Sequence, residues 1–121
     1  MELGAEFAWA LAAKDAAGLK RLLVPEVDFK AMTPGRFWEA ECADEVVDDI
    51  VFGHWFQPTD DIEALEHLET SSVGERRHVV YCLRVRRNED AFLVEQQAYF
   101  DVRGDRISWL RIMCAGYQPQ P

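Results

Sequence analysis

A β-hairpin is predicted by residues 76–102, which read RRHVVYCLRVRRNEDAFLVEQQAYFDV. Apolar side chains recur at every second position on either side of Asn88-Glu89, as they do in strands that bury one face. With the loop at these two residues, Tyr81 falls opposite Gln96 on the apolar face, because a slip of one residue would exchange the two faces. The sequence therefore predicts two polar side chains next to each other on a hydrocarbon surface.

A strand at 60–71 is predicted to pair with residues 76–87. A loop at Val73-Gly74 places Glu66 opposite Tyr81. The same register matches apolar side chains or opposite charges in six further pairs: Ile62–Val85, Ala64–Leu83, Leu68–Val79, Asp61–Arg86, Glu63–Arg84 and Glu69–His78. Glu66, Tyr81 and Gln96 are thus expected to converge on the apolar face. An unpaired polar atom buried there costs about 1–3 kcal/mol, so the three groups should bond one another or face a ligand or water.

Helical and strand periods alternate along the rest of the chain. The first predicted helix runs through Leu3, Phe7 and Leu11, and the second is capped by Asp15, carries Leu19, Leu22 and Leu23 and ends at Pro25. Strands 27–32 and 36–40 follow around Thr33-Pro34-Gly35, and a third helix runs from Ala43 to Pro58 with an apolar stripe of Val46, Val47, Ile50, Val51, His54 and Trp55. The last four elements are strands 60–71, 76–87, 91–102 and 106–117. This order predicts an α+β fold in a single domain, 1–121, with helices packed on one face of a curved, mostly antiparallel sheet.

The last predicted strand is apolar on both faces. One face holds Ile107, Trp109, Arg111 and Met113, and the other holds Ser108, Leu110, Ile112 and Cys114. Both faces are expected to be covered, one by the helices and the other by a second subunit. The strand therefore predicts a homodimer with two-fold symmetry.

The charge of the chain excludes several classes of protein. There are 13 Lys and Arg against 22 Asp and Glu, a formal charge of −9 and a pI near 4.7. This balance argues against nucleic-acid binding, because phosphate is bound by basic surfaces. No apolar stretch approaches the roughly 20 residues that span a bilayer. The first residues are acidic where a secretory signal would be basic, so no membrane partner is expected.

Acidic and basic residues lie in separate blocks. Residues 37–75 carry twelve Asp and Glu with neither Lys nor Arg, and eight Arg follow from residue 76 onward. Pairing of acidic and Arg-bearing strands within one sheet would bring these blocks together, since the planar Arg fork can hold a carboxylate by two hydrogen bonds.

Cysteine and histidine spacing predicts neither disulfides nor a metal site. Cys42, Cys82 and Cys114 are far apart in the sequence and form no CxxC pattern, which is typical of buried thiols in a reducing cytoplasm. The three His residues have no metal-ligand spacing, and no Gly-rich phosphate loop or nucleophile motif is present. No cofactor is therefore expected.

Two stretches resemble a known family. They are FKAMTPGRFW, residues 29–38, and VEQQAYFDV, residues 94–102, which continues through GDRI, residues 104–107, to CAGY, residues 114–117. These stretches resemble the SnoaL-like group of the nuclear transport factor 2-like superfamily. The resemblance implies a cone-shaped α+β half-barrel with a pocket between sheet and helices, and a dimer formed through the outer sheet face. Members include ketosteroid isomerases, polyketide cyclases, epoxide hydrolases and dehydratases.

The catalytic residues of those enzymes do not match this sequence. The isomerases have a Tyr on the first long helix and two Asp in the pocket, whereas the first Tyr here is Tyr81 and the first helix offers only Phe7 and Trp9 as aromatics. The Asp-Arg-Asp arrangement of the epoxide hydrolases is also absent. The resemblance therefore implies a fold but transfers no reaction.

The candidate catalytic residues are Glu66, Tyr81 and His54. A Glu in an apolar pocket has a raised pKa and can exchange a proton near neutrality, and Tyr81 would donate a hydrogen bond to a developing oxyanion. His54 is either a general base at the pocket mouth or a helix-end His bonded to a free carbonyl. Gln96, Trp38, Trp55 and Phe29 are candidate ligand contacts, with a place in the core as the alternative for the aromatics.

Three hypotheses for the function remain open. The first is a protein that binds a hydrophobic small molecule in a closed-ended pocket. The second is an enzyme of the isomerase, polyketide-cyclase or dehydratase type that uses pocket acid and base groups without metal. The third is a dimerisation module with a filled interior.

Overall fold

The computed structural model describes residues 1–121. In chain order its elements are the helices α1 (Leu3–Ala12) and α2 (Ala16–Arg21), the strands β1 (Leu23–Thr33) and β2 (Arg36–Ala40), the helix α3 (Glu45–Trp55), and the strands β3 (Asp61–Val73), β4 (Arg76–Arg87), β5 (Asp90–Arg103) and β6 (Arg106–Gln120). The predicted α+β class is confirmed. None of the helices is both long and apolar enough to cross a membrane.

The six strands form one curved sheet in the order β2-β1-β6-β5-β4-β3. All neighbouring strands are antiparallel except β1 and β6, which run parallel. The turn between β1 and β2 is the predicted Thr33-Pro34-Gly35, and Gly35 has a φ of +77°, a conformation that costs glycine little. The inner face of the sheet and the three helices bury one apolar core.

The first two helices begin at side-chain caps. The Glu2 carboxylate accepts from the Gly4 N–H at 3.1 Å, and the predicted cap Asp15 accepts from the Gly18 N–H at 2.9 Å. The prediction for α2 extends too far, because Leu23 already belongs to β1. Here Pro25 stands where β1 is irregular, between its pairings with Ile107 and Trp109 of β6.

Helix α3 is wound as a π-helix, with hydrogen bonds that span five residues, such as Phe56 N–H to Val51 O at 2.8 Å. A Cβ at Gly53 would stand 2.7 Å from Asp48 O, so the wider turn needs a glycine there. The predicted stripe assumes the narrower α-helical period. It is correct for its buried members from Val46 to Trp55, but His54 is exposed because the wider turn rotates it away from the core.

Strands β3 and β4 do not keep the predicted register. Their loop is Gly74-Glu75, one residue later than predicted, and β3 contains two bulges, one at Glu63 and one at Glu66. The predicted pairs Ile62–Val85 and Asp61–Arg86 are present at the far end, beyond both bulges. The other pairs are wrong, and the residue opposite Tyr81 is Leu68.

Of the other two hairpins of the meander, β4–β5 agrees with the prediction and β5–β6 differs from it at Ile107. Strands β4 and β5 pair without interruption in the predicted register, with Tyr81 opposite Gln96. In β6 the inner face is Leu110, Ile112 and Cys114, and the outer face is Trp109, Arg111 and Met113. The β5–β6 register shifts between Asp101 and Val102, so Ile107 is buried rather than on the outer face.

The thiols differ in exposure. All three cysteines are free, but Cys42 is exposed and Cys82 half-buried, so the predicted burial is correct only for Cys114. Cys114 lies on the inner face of β6 and is the cysteine that belongs to the candidate site.

Candidate functional site

A cavity of about 300 Å³ opens where the end of α3 meets the sheet. The turn between β1 and β2 forms one side, and the strands β4, β5 and β6 form the floor. The lining residues are Thr33, Pro34, His54, Trp55, Phe56, Arg87, Val94, Gln96, Cys114, Gly116 and Tyr117. The β1–β2 turn, the end of α3 and three strands of the sheet therefore build one concave site.

The Trp55 ring forms the α3 wall and is held by two further aromatic side chains. Phe29 and Trp38 pack against it with ring centres 6.1 Å away in each case, and Trp38 is fixed in turn by a 2.8 Å hydrogen bond from its Nε1 to Thr33 Oγ1. Neither Phe29 nor Trp38 lines the cavity. These two predicted ligand contacts lie behind Trp55 and position it.

The β1–β2 turn closes onto β6 at Gly116. This glycine has a φ of +86°, and a Cβ there would stand 2.9 Å from Pro34 Cγ. Only glycine combines this backbone conformation with so close an approach. Pro34 thus rests directly on β6 and completes the wall beside Trp55.

Tyr81 and Gln96 meet in the buried floor, as the β4–β5 register predicts. The Tyr81 hydroxyl donates to Gln96 Oε1 at 2.6 Å, and both residues are almost completely buried. Burial raises the pKa of Tyr81 well above its ordinary value, so its phenol stays protonated and needs an acceptor. This requirement fixes the amide with its oxygen toward Tyr81 and leaves Gln96 Nε2 without a partner in the protein.

Only two buried side-chain nitrogen or oxygen atoms in the chain lack a hydrogen-bond partner within the protein. They are Gln96 Nε2 and Trp55 Nε1. Both residues line the same cavity, one from the floor and one from the α3 wall. Because an unsatisfied buried donor costs about 1–3 kcal/mol, their coincidence in one cavity is the feature of the chain that points most directly to a ligand.

Arg87 and Tyr117 form the polar rim. Arg87 donates through Nε and Nη2 to the two carboxylate oxygens of Asp60, at 2.9 and 2.8 Å, and its guanidinium lies 4.1 Å from the Tyr117 ring centre. The Tyr117 hydroxyl donates to Trp55 O at 2.6 Å. Burial raises the pKa of Tyr117, so it too acts as a donor. The rim therefore ties β4 and β6 to the end of α3.

Asp60 anchors this rim as a buried carboxylate. Its side chain is 1% exposed, and it also accepts from the Gln57 N–H at 2.8 Å. The hydrogen bonds from Arg87 hold the pKa of the Asp60 carboxyl below its ordinary value, against the opposing effect of burial. Lys14 adds a further tie, because its Nζ donates to the Gln57 and Asp60 carbonyls.

His54 stands at the open side of the cavity. Its Nδ1 lies 2.7 Å from Asp49 O, the carbonyl-bonded arrangement that the sequence offers as the alternative to a base. A carbonyl only accepts, so Nδ1 carries a proton, and in the neutral ring the lone pair therefore lies on Nε2. The contact thus fixes the tautomer and leaves one ring nitrogen able to accept a proton.

The predicted convergence of Glu66 with Tyr81 and Gln96 is wrong. Glu66 is the extra residue of the second β3 bulge, is exposed, and pairs with Arg84. The hydroxyl that it was expected to meet donates to Gln96 instead. Nothing places the Glu66 carboxylate in the cavity, so it is not a candidate base there.

Sequence reasoning missed several lining residues, although a pattern was present for two of them. Arg87 continues the inward-facing series of Tyr81, Leu83 and Val85 along β4. Tyr117 lies opposite Val94, which faces inward next to Gln96. Following the alternation to the strand ends would have indicated both, whereas Asp60 precedes β3 and carries no such pattern.

Comparisons with known proteins give a fold. No family model matches the sequence, and no curated protein matches it. Among solved structures, the chain is similar to a nuclear transport factor 2-like protein from Burkholderia thailandensis, with a TM-score of 0.71, 15% identity, and coverage of 93% of this chain and 87% of that one.

Two other solved structures carry names that refer to an activity. One is a provisionally assigned polyketide cyclase from Pseudomonas putida, with a TM-score of 0.70, 13% identity, and coverage of 92% of this chain and 87% of that one. The other is an LEH-like epoxide hydrolase from M. tuberculosis, with a TM-score of 0.65, 12% identity, and coverage of 93% and 79%. Identities this low carry information about the fold only.

Proposed function

Because the chain has the nuclear transport factor 2-like fold, we propose that it binds a small hydrophobic molecule in the cavity between α3 and the sheet. The natural ligand is not identified by the fold. Structures of this fold include proteins named as a provisionally assigned polyketide cyclase and an LEH-like epoxide hydrolase.

One observation carries the proposal: Trp55 and Gln96, the two residues with an unpartnered buried donor (Nε1 and Nε2), both line one cavity of about 300 Å³. That volume lies at the lower end of the roughly 300–1,000 Å³ range of ligand pockets. Mostly apolar walls with a few polar atoms are typical of such sites. A dimerisation module with a filled interior explains neither the space nor the unused donors.

The test is a ¹H–¹⁵N NMR titration with 2-acetonaphthone, a bicyclic aromatic ketone. We expect the Trp55 indole signal to move, while the signal of Trp9, which is exposed on α1, stays in place. Val94→Phe should abolish the change by filling the cavity, whereas Leu93→Phe, one residue along β5 and on the other face, should not. Movement of Trp55 that persists in Val94→Phe would show that the probe binds elsewhere. Native mass spectrometry of freshly purified protein should detect a natural ligand that co-purifies with it.

An enzyme of the isomerase, polyketide-cyclase or dehydratase type is the second candidate, and the fixed tautomer of His54 favours it. A ketone oxygen held by Trp55 and Gln96 would become more negative as a neighbouring carbon loses a proton to His54 Nε2. The proton would return from His54 to the product, so the step needs no metal. Glu66 takes no part in this scheme.

Deuterium exchange separates the enzyme from the binding protein. In D₂O, an enzyme should accelerate exchange of the methyl protons of 2-acetonaphthone, and His54→Asn should abolish the acceleration while the ketone still binds. If the methyl protons exchange no faster with the wild-type protein than in buffer, the enzyme candidate is contradicted and only the binding function remains.

We also propose that the chain forms a homodimer through the outer sheet face. Met32, Phe37 and Met113 are exposed on this face, and together they line an apolar groove. Met113→Glu should convert the dimer to monomer in analytical ultracentrifugation. Trp9→Glu is the matched control, since Trp9 is equally exposed, at 51%, but lies on α1. A wild-type monomer at high concentration would contradict the proposal.

The SnoaL-like subgroup and a cytoplasmic location are proposals of the same kind. The subgroup is supported by the motif at residues 29–38, because its Pro34 closes the cavity against Gly116 of the second motif. A reducing compartment fits the three free cysteines.

A further inference from the structure

We infer that the ligand presents an acceptor-only oxygen, the carbonyl of a ketone or ester or a carboxylate, to the Trp55 and Gln96 donors. This inference rests on the proposed function and specifies the chemistry of its ligand. It follows from which hydrogen-bonding groups of the cavity wall are free and which are already used.

The free groups in the buried part of the cavity are donors. The indole of Trp55 can only donate. Gln96 has its oxygen engaged by the Tyr81 hydroxyl at 2.6 Å, so its amide offers N–H groups alone. A ligand oxygen with lone pairs can accept from either residue, whereas a group that itself only donates can bond neither.

The acceptors of the wall are already occupied. Thr33 Oγ1 accepts from Trp38 Nε1 at 2.8 Å, and Cys114 Sγ accepts from the Gly116 N–H at 3.3 Å. The Trp55 carbonyl accepts from the Tyr117 hydroxyl at 2.6 Å. An ammonium or other donor on the ligand would therefore share acceptors that already have a partner, whereas a ligand oxygen meets donors that have none.

The charged side chains at the cavity rim also favour a ligand that carries an acceptor oxygen over a cationic ligand. The cation at the rim is Arg87, which faces the cavity, while its counter-ion Asp60 does not line it. The free Nε2 of His54 is an acceptor, but it belongs to an exposed residue at the open side. A cationic ligand is thus disfavoured by both the hydrogen bonds and the charge, and a neutral carbonyl or a carboxylate is favoured.

Ligands of one shape with different polar groups test the inference. 2-Acetonaphthone carries a C=O group where 2-isopropenylnaphthalene carries a C=CH₂ group of nearly the same size. Two further compounds complete the series: 2-naphthoate carries a carboxylate, and 1-(2-naphthyl)ethylamine carries a cationic amine. Dissociation constants come from ¹H–¹⁵N titrations. We expect the ketone to bind at least about tenfold more tightly than the isopropenyl compound, because only the ketone offers an acceptor to donors that have no partner in the protein. Of these two compounds, the ketone alone should move the Trp55 indole proton downfield.

Two variants locate the effect. Trp55→Phe keeps an aromatic ring on Phe29 and Trp38 but removes the N–H, and Gln96→Leu combined with Tyr81→Phe removes the amide without orphaning the phenol. In each, the ketone should lose most of its advantage, while the isopropenyl compound should bind as it does to the wild-type protein. If either variant folds poorly, the ratio of the dissociation constants of the isopropenyl compound and the ketone in the wild-type protein still decides the inference.

The outcomes separate the two claims. If no compound binds, the proposed function fails. If the isopropenyl compound or the amine binds as tightly as the ketone and the carboxylate, the cavity binds ligands but the inference is overturned. Preference for 2-naphthoate over the ketone, or the reverse, tells which of the two oxygen groups the natural ligand carries.

Discussion

Two arginine–carboxylate pairs stand close together on β4 in contrasting surroundings. Arg87 holds Asp60 by two hydrogen bonds on the inner side of the sheet, and the Asp60 side chain is 1% exposed. Arg84 holds Glu66, where both side chains are 39% exposed. The predicted register does not contain the Arg84–Glu66 pair, because it places Arg84 opposite Glu63 and Glu66 opposite Tyr81.

The difference in burial gives the pairs different roles. The exposed pair gains little, because water solvates both charges and salt screens them. The buried carboxylate has exchanged water for Arg87 and the Gln57 N–H, so losing either partner leaves a polar group unsatisfied. The inner pair therefore fixes the cavity rim, whereas the outer pair serves the surface of an edge strand.

Asp60→Asn should have the largest effect of the changes considered. The substitution removes the buried charge and leaves an amide group against the Arg87 guanidinium, so we expect a loss of about 2–4 kcal/mol in the free energy of unfolding. Urea denaturation measures it. A loss as small as that from Glu66→Gln would mean that the burial of Asp60 has no energetic consequence.

The contribution of Asp60 should also depend on pH. Hydrogen bonds from Arg87 lower its pKa from 3.8, so its stabilisation is present above that value and is lost as pH falls through the depressed pKa of the folded state. The stability difference between the wild-type protein and Asp60→Asn should be constant from about pH 7 to pH 5 and shrink below about pH 4. Denaturation curves at several pH values test this, and a difference that grows in acid would reverse the assignment.

Tyr117→Phe should have an intermediate effect. It removes the 2.6 Å hydrogen bond to Trp55 O but keeps the ring beneath Arg87. We expect a loss of about 1 kcal/mol, the value of one intramolecular hydrogen bond. Hydrogen exchange should show faster opening at the end of α3. Unchanged exchange there would show that the rim does not hold this helix.

Glu66→Gln should have the smallest effect. Because the Glu66–Arg84 pair is exposed, we expect the midpoint of thermal unfolding to change by less than about 2 °C, and ligand binding in the cavity to be unaffected. Arg84→Lys alters the other partner of the same exposed pair and should have an equally small effect. A loss of binding in Glu66→Gln would place this residue in the site after all and would remove the difference in role between the two arginine–carboxylate pairs.

The extent to which the fold was predictable follows from the regularity of each hairpin. Strands β4 and β5 are joined by a two-residue loop and contain no bulge, so alternation and loop position fixed every pair, including Tyr81 with Gln96. Strand β3 has extra residues at Glu63 and Glu66. A bulge leaves little trace in an alternating pattern, and each one moves all later pairs by a residue.

The candidate site was predictable in part for the same reason. Gln96, Trp55 and His54 line the cavity and were named from their positions on apolar faces. The rim residue Asp60 depends on a loop conformation, which alternation does not describe. The exposure of His54 depends on the π-helical winding of α3, which the spacing of its apolar residues did not reveal.

The two bulges have a consequence for how the molecule behaves at high concentration. Strand β3 is the longer of the two edge strands of the sheet and runs for 13 residues with unpaired backbone groups on one side. Such an edge is a template on which strands from other molecules assemble into aggregates. Each extra residue interrupts that template and is a glutamate, so an incoming chain meets a bent edge and negative charge. Deleting them would regularise the edge and leave the protein prone to fibre formation.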